Sequence, residues 1–190
     1  MRRLRFRMII PAYPTFNIYS RVAKTTTALG PLMVATMASR MKHWDAEVID
    51  ENNYRRLGPK DAKGRPDHNT LHAIRRADVV GLYGGLSSTI PRINELVRFY
   101  KNKGVTVIAG GQHFVGGNIR DALEEGVDFV VIGEGEGTIR ELLAAIQEER
   151  KPDEVAGIAF MRNGQMIMTG EREPITDFDE LPLPDFDLLR

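Results

Sequence analysis

Five short runs rich in valine and isoleucine, most of them closed by proline or glycine and separated by helical patterns, restrict what this 190-residue chain can fold into. They are Leu4 to Ile10, closed by Pro11 and Pro14; Ala46 to Asp50; Asp78 to Tyr83, ending in Gly84 and Gly85; Val105 to Ala109, ending in Gly110 and Gly111; and Asp128 to Ile132, ending in Gly133. None alternates cleanly between apolar and polar residues, so each reads as a strand buried on both faces. Strands of that kind belong to a parallel sheet with helices on either side.

The intervening segments carry the helices. Pro31 suits a first helical turn, and Leu32 to Met41 follow without a breaker. Ile93, Leu96, Val97 and Tyr100 share one helical face after Pro91, and Gly104 stops it. Ile119, Ala122 and Leu123 mark a short helix before Gly126, and Ile139, Leu142, Leu143 and Ile146 repeat at i, i+3, i+4, i+7. The polar stretch from Asn52 to Asn69 reads as loop, with a short helix near Thr70 to Arg76. The expectation is a flavodoxin-like, Rossmann-like, doubly wound five-stranded parallel sheet in the order 2-1-3-4-5 over residues 1–150. Residues 151–190 are expected to form a β-hairpin around Asn163-Gly164 and then an acidic, proline-punctuated, extended linker.

Composition excludes several functions. The chain has no cysteine, so it supplies no disulfide, thiolate zinc site or cysteine-ligated iron–sulfur cluster. Lys and Arg number 26 against 26 Asp and Glu, which gives no basic surface built for nucleic acid. No apolar run approaches the ~20 residues of a membrane span, and a cytoplasmic location is expected.

Ligands of such sheets bind beyond the carboxyl ends of the strands. Four crest loops lie there. The first, Pro11 to Gly30, is long, and its Pro14, Thr15, Phe16, Asn17 and Tyr19 could cover a broad, partly apolar ligand. A wandering loop or an interdomain contact would explain it equally well. The second holds Tyr83, Gly84, Gly85, Leu86 and Ser87, where paired glycines permit close backbone approach; Ser88 or Thr89 could simply cap the next helix. The third is Gly110, Gly111, Gln112 and His113, and its two glycines would extend the first pair into one floor free of side chains. The fourth, Gly133, Glu134, Gly135 and Glu136, lacks the spacing and strand position of a dinucleotide fingerprint, and its carboxylates would repel a pyrophosphate. His113 stands alone and reads as a hydrogen-bonding side chain rather than a metal ligand. A phosphorelay receiver would need carboxylates where Pro11-Ala12-Tyr13 and Tyr83-Gly84-Gly85 stand.

Taken together, Pro11-Ala12-Tyr13-Pro14, Val107 to Phe114, Gly133 to Thr138 and Asp177 to Phe186 resemble the amino-terminal domain of cobalamin-dependent radical S-adenosylmethionine enzymes. The nearest group includes the anaerobic magnesium-protoporphyrin monomethyl ester cyclase and related methyltransferases. The resemblance implies a cobalamin whose nucleotide tail enters the sheet's carboxyl edge along Gly110 and Gly111, with the corrin facing a radical domain. In a full-length parent it implies S-adenosylmethionine, a 4Fe-4S cluster and a three-cysteine motif soon after Arg190. Tyr83 stands where the wider group often has serine. The Asp-x-His-x-x-Gly of methionine synthase and the mutases is replaced here by Tyr13-Pro14-Thr15-Phe16-Asn17, so no histidine of this loop is expected to ligate cobalt. A regulatory ligand-binding module, or a flavin- or nucleotide-dependent enzyme on the same fold, are the alternatives.

Overall fold

Strand pairing in a computed structural model of the chain, which describes residues 2–14, 21, 25–54 and 58–190, follows the buried apolar runs. Strands β1 (Leu4–Ile10), β2 (Trp44–Asp50), β3 (Val79–Tyr83), β4 (Thr106–Gly110) and β5 (Phe129–Val131) pair in parallel. Between and after them lie α1 (Leu29–Ser39), α2 (His68–Ile74), α3 (Ile90–Lys101), α4 (Gly117–Glu124) and α5 (Gly135–Gln147). The hairpin is β6 (Ile158–Arg162) and β7 (Gln165–Met168).

The architecture is an α/β sheet of the Rossmann-like type, with one correction. The sheet has seven strands rather than five, in the order β2-β1-β3-β4-β5-β6-β7. Far from standing apart, the hairpin pairs antiparallel with β5 through Val130 with Ala159 and Val131 with Ile158. An open β5 edge would leave a row of unpaired backbone groups next to buried apolar residues, and β6 closes it. Ile158, Ala159 and Phe160 are buried there.

Side chains alternate across the strands and build two cores. Phe6, Met8 and Ile10 of β1 face α1 and α5, together with Ile108 and Val131. Ile9, Val80, Leu82, Val107 and Val130 face the layer of α3 and α4, where Ile93, Leu96, Val97 and Tyr100 present the expected helical stripe. The cap reading of the second crest holds by position only. Thr89 is the N-cap of α3, yet its hydroxyl donates to the carbonyl of Leu86 at 2.7 Å instead of capping the helix.

The acidic tail, expected as an extended linker, has only two short 3-10 turns, Phe178–Glu180 and Phe186–Leu188, and lies against the domain. The Arg172 guanidinium donates to Thr138 Oγ1 at 2.9 Å, and the Ile175 amide donates to Glu134 Oε2 at 2.7 Å. Farther on, the Asp185 amide donates to Thr36 Oγ1 at 2.9 Å, Leu188 is buried, and the Arg190 amide donates to the Val48 carbonyl at 3.0 Å. This strap explains why α1 is apolar on nearly every side: one face meets the sheet and another meets the tail. Among the described residues no helix is long and apolar enough to cross a membrane.

Candidate functional site

Between α1 and α5 a cleft of about 440 Å³ runs from the carboxyl tips of the strands down the face of the sheet. Its walls are the first turns of the two helices, through Gly30, Pro31 and Val34 on one side and Gly135, Glu136 and Ile139 on the other. Its floor is Met8, Gly81, Ile108, Gly110 and Val131, and Phe6 closes the inner end. Volumes of ~300–1,000 Å³ with apolar walls and a few polar groups are typical of small-molecule sites.

Glycines set the shape of this cleft. A Cβ on Gly110 would touch nothing nearer than Val131 Cβ, at 3.4 Å, so the space above β4 is open. On Gly81 a Cβ would lie 2.8 Å from Phe6 Cζ and 3.1 Å from Met8 Cε, because those side chains lean across the glycine. Gly135 lets the helices converge, since a Cβ there would meet Val34 Cγ2 at 2.9 Å.

The expected ledge of four glycines is therefore corrected. Gly84 is covered by the Phe114 ring, whose Cε2 lies 2.5 Å from where a Cβ would be, and Gly85 is covered by the Tyr83 ring at 2.6 Å. The crest is locked by bonds from the Gly84 amide to the Gly110 carbonyl (2.8 Å) and from the His113 amide to the Gly84 carbonyl (2.9 Å). Phe114 is itself buried and belongs to the core on the α3 and α4 side of the sheet. Gly111 has φ +117° and a would-be Cβ 2.8 Å from the Gly84 carbonyl oxygen, so its place in the crest requires glycine.

Of the residues expected at a site, Tyr83, Gly110, Gly111, Gln112, Gly133, Glu134, Gly135 and Glu136 line the cleft. Pro14, Gly84, Gly85, Leu86, Ser87 and His113 do not. Thr15, Phe16, Asn17 and Tyr19 lie outside the described residues. His113 Nδ1 shares a hydrogen bond with Ser87 Oγ at 3.0 Å, in keeping with a hydrogen-bonding role. Glu134 is the N-cap residue of α5, and Glu136 sits in its first turn, where negative charge is favoured. Burial raises the phenol of Tyr13, helped by nearby Tyr83 and Asp50, and burial also raises that of Tyr83, so both remain hydrogen-bond donors. Among the described residues no histidine lines the cleft, and no group of three or more His, Asp or Glu could hold a metal ion.

Two sets of residues escaped the sequence reading. Phe6, Met8, Gly81 and Val34 looked like ordinary core, and only the gap between α1 and α5 makes them lining. The other set is Asp50-Glu51-Asn52-Asn53 at the tip of β2, whose run of acids and amides directly after a buried strand was the available signal. Asp50 accepts from Thr27 Oγ1 at 3.0 Å, Glu51 Oε2 from the Ala12 amide at 2.9 Å, and Asn52 Oδ1 from the Tyr13 amide at 2.9 Å. These bonds tie the exit of β1 and the approach to α1 to the end of β2.

Burial works against a charge on Glu51, but hydrogen bonds from His68 and Arg92 outweigh it and hold the carboxyl down at about 2, from an ordinary value of 4.5. The stability this provides is full above pH 4.5 and is lost as pH falls towards 2. Across that window Glu51 is expected to contribute about 3 kcal/mol, at ~1.4 kcal/mol per unit. Urea midpoints measured between pH 6 and pH 2.5 should fall more steeply for the native chain than for Glu51→Gln. Equal slopes would show that Glu51 is not the group responsible.

An α/β sheet with an apolar, glycine-floored cleft at its carboxyl edge has the geometry of a small-molecule-binding domain. The particular family follows from comparison: residues 18–143 match the B12 binding domain, and the chain belongs to that family. It is similar to an uncharacterized methyltransferase of Pyrococcus horikoshii, with 28% identity over all of this chain and 39% of that protein. Half of the chain, 51%, is 34% identical to 20% of the anaerobic magnesium-protoporphyrin IX monomethyl ester cyclase of Synechocystis. The chain thus spans well under half the length of either relative. Among solved structures, its fold is similar to that of the cobalamin-dependent S-adenosylmethionine radical enzyme OxsB with aqua-cobalamin bound (TM-score 0.74, 16% identity, 97% of this chain and 24% of that one). It is also similar to the radical S-adenosylmethionine methyltransferase TsrM from Kitasatospora setae with cobalamin and a 4Fe-4S cluster bound (TM-score 0.66, 18% identity, 96% and 31%).

Proposed function

We propose that this chain is the cobalamin-holding part of a larger radical S-adenosylmethionine enzyme of the methyltransferase or cyclase type. The cleft between α1 and α5 takes the nucleotide arm of the cofactor past Gly110, and the crest at Tyr83, Gly111 and Gln112 supports the corrin. The observation that carries this reading is the open space above Gly110, in an apolar cleft of about 440 Å³, within a chain of the B12 binding family. A nucleotide arm needs a channel that leads away from the solvent edge with no side chain in its path, and the cleft above Gly110 offers one.

When bound, the cobalt of the corrinoid supplies methyl-transfer or electron-transfer chemistry. The chain's own residues bind and orient it. The neutral phenols of Tyr13 and Tyr83 can donate hydrogen bonds at the rim, and Phe6, Met8 and Ile108 exclude water from the inner cleft. Since the chain has no cysteine, the iron–sulfur cluster of such an enzyme would be held by a separate, three-cysteine domain of the parent.

Mixing the purified chain with hydroxocobalamin is expected to give a pink protein that keeps about one corrinoid per chain through gel filtration. Reduced to cobalt(II), that complex is expected to show an electron paramagnetic resonance spectrum without nitrogen superhyperfine splitting, because no described cleft residue is a histidine and an arm lodged in the cleft would not bring its base to the metal. A chain that elutes colourless, alone and when extended through the next domain, would refute the assignment.

A further inference from the structure

The inner end of the cleft is more uniform chemically than its mouth. Phe6, Met8, Gly81, Ile108 and Ile139 form it, and all four side chains among them are at most 7% exposed. The polar lining groups, Tyr83, Gln112, Glu134 and Glu136, belong to the crest and to the first turn of α5. Backbone groups do not make up the difference. Met8 pairs with both Val48 and Gly81, and Gly81 with Ile108, so the strands beneath the inner cleft bond to each other. Among the described residues, the Met8 thioether, a weak acceptor, is the only side-chain heteroatom there.

We propose that this inner end selects among corrinoids by the base that terminates the nucleotide arm, accepting an apolar benzimidazole or phenol and discriminating against a purine such as adenine. The inference rests on the cobalamin reading given above and extends it to ligand choice. Adenine carries an exocyclic amine and ring nitrogens that are hydrogen-bonded in water. Lodged against Phe6, Met8 and Ile108, they would lose those partners and gain none, whereas two methyl groups on a benzimidazole would be buried favourably. Discrimination by a pocket that leaves polar groups unpaired is larger than discrimination by size alone.

The test measures dissociation constants of four aqua-corrinoids by equilibrium dialysis against the chain: cobalamin, the cresol-type cobamide, the adenine-type cobamide and cobinamide, which lacks the arm. Cobalamin and the cresol form are expected to bind within a few-fold of each other, and the adenine form at least tenfold more weakly. Cobinamide should also bind more weakly than cobalamin. Met8→Gln, nearly isosteric, brings an amide to the inner end and is expected to narrow the gap between the adenine form and cobalamin. An adenine cobamide that binds as tightly as cobalamin overturns the inference, and so does cobinamide matching cobalamin, since the arm would then not use the cleft. A ratio unchanged in a folded Met8→Gln chain removes the selectivity from this position, and if that variant does not fold the native ratios decide alone. Failure of all four corrinoids to bind would instead strike at the cobalamin reading itself.

Discussion

Leucine in place of Gly110 is expected to weaken cobalamin binding at least a hundredfold, about 2.7 kcal/mol, while the domain stays folded. The two halves of that expectation have separate causes. Gly110 has an ordinary extended backbone, and the nearest atom to a Cβ on it is Val131 Cβ at 3.4 Å, so the strand accepts a side chain without strain. Beyond Cβ, the side chain has only the cleft to enter, because Gly110 shares a sheet face with Ile108 and with the gap between α1 and α5. Isobutyl bulk there occupies the path of the nucleotide arm. Gly81 offers no such clean experiment, since its Cβ would collide with Phe6 at 2.8 Å and disturb the core before any ligand arrived. Circular dichroism melts and retention of hydroxocobalamin on gel filtration measure the two halves. A folded Gly110→Leu chain that keeps stoichiometric cofactor would show that the arm lies elsewhere.

Arg7→Met is expected to have the largest effect on stability, about 3–5 kcal/mol, which is a large part of the ~5–15 kcal/mol that domains usually have. Arg7 is completely buried in the middle of β1. Its guanidinium meets Glu47 Oε1 at 2.7–2.8 Å, donates to the Tyr100 hydroxyl at 3.2 Å, and donates to the Arg75 carbonyl at 2.6 Å beside the end of α2. Tyr100 in turn stands 2.8 Å from His68 Nδ1, and His68 Nε2, carrying its proton, donates to Glu51 Oε1 at 3.0 Å. Methionine fills much of the same volume but leaves Glu47, 2% exposed, with only Arg75 and the more distant Arg190 as cationic partners among the described residues. The double change Arg7→Met with Glu47→Leu is expected to recover most of the loss, because it removes the stranded charge as well. Urea unfolding of the two variants checks this. A single variant as stable as the native chain would show that the pair contributes nothing net.

Because this network crosses from β1 through α3 and α2 to Glu51, and Glu51 holds the Ala12 amide, it also bears on the site. The loop that leaves β1 starts from a backbone amide whose acceptor is fixed by buried charges. None of that was readable beforehand. Arg7 sat in a run read as a plain apolar strand, and His68 carried no signal, because the partners of a buried charge come from other elements: Glu47 is 40 residues from Arg7, and Tyr100 is 93 residues away.

By itself, the amino-acid order determined the repeating strand–helix pattern, the inward stripes of α3 and α5, the hairpin at Asn163-Gly164, and the crest loops at the carboxyl ends of the strands. Those properties are local: side-chain periodicity and turn chemistry act over a few residues. The tertiary structure alone decided that the hairpin completes the sheet, that the acidic tail straps α1, and that Gly84 and Gly85 lie beneath aromatic rings while Gly81 and Gly110 shape the cleft. A glycine in sequence shows only that a side chain is missing. Whether the vacated space is filled by Phe114, shared by Phe6 and Met8, or left open to a ligand depends on neighbours that meet only after the strands and helices have packed.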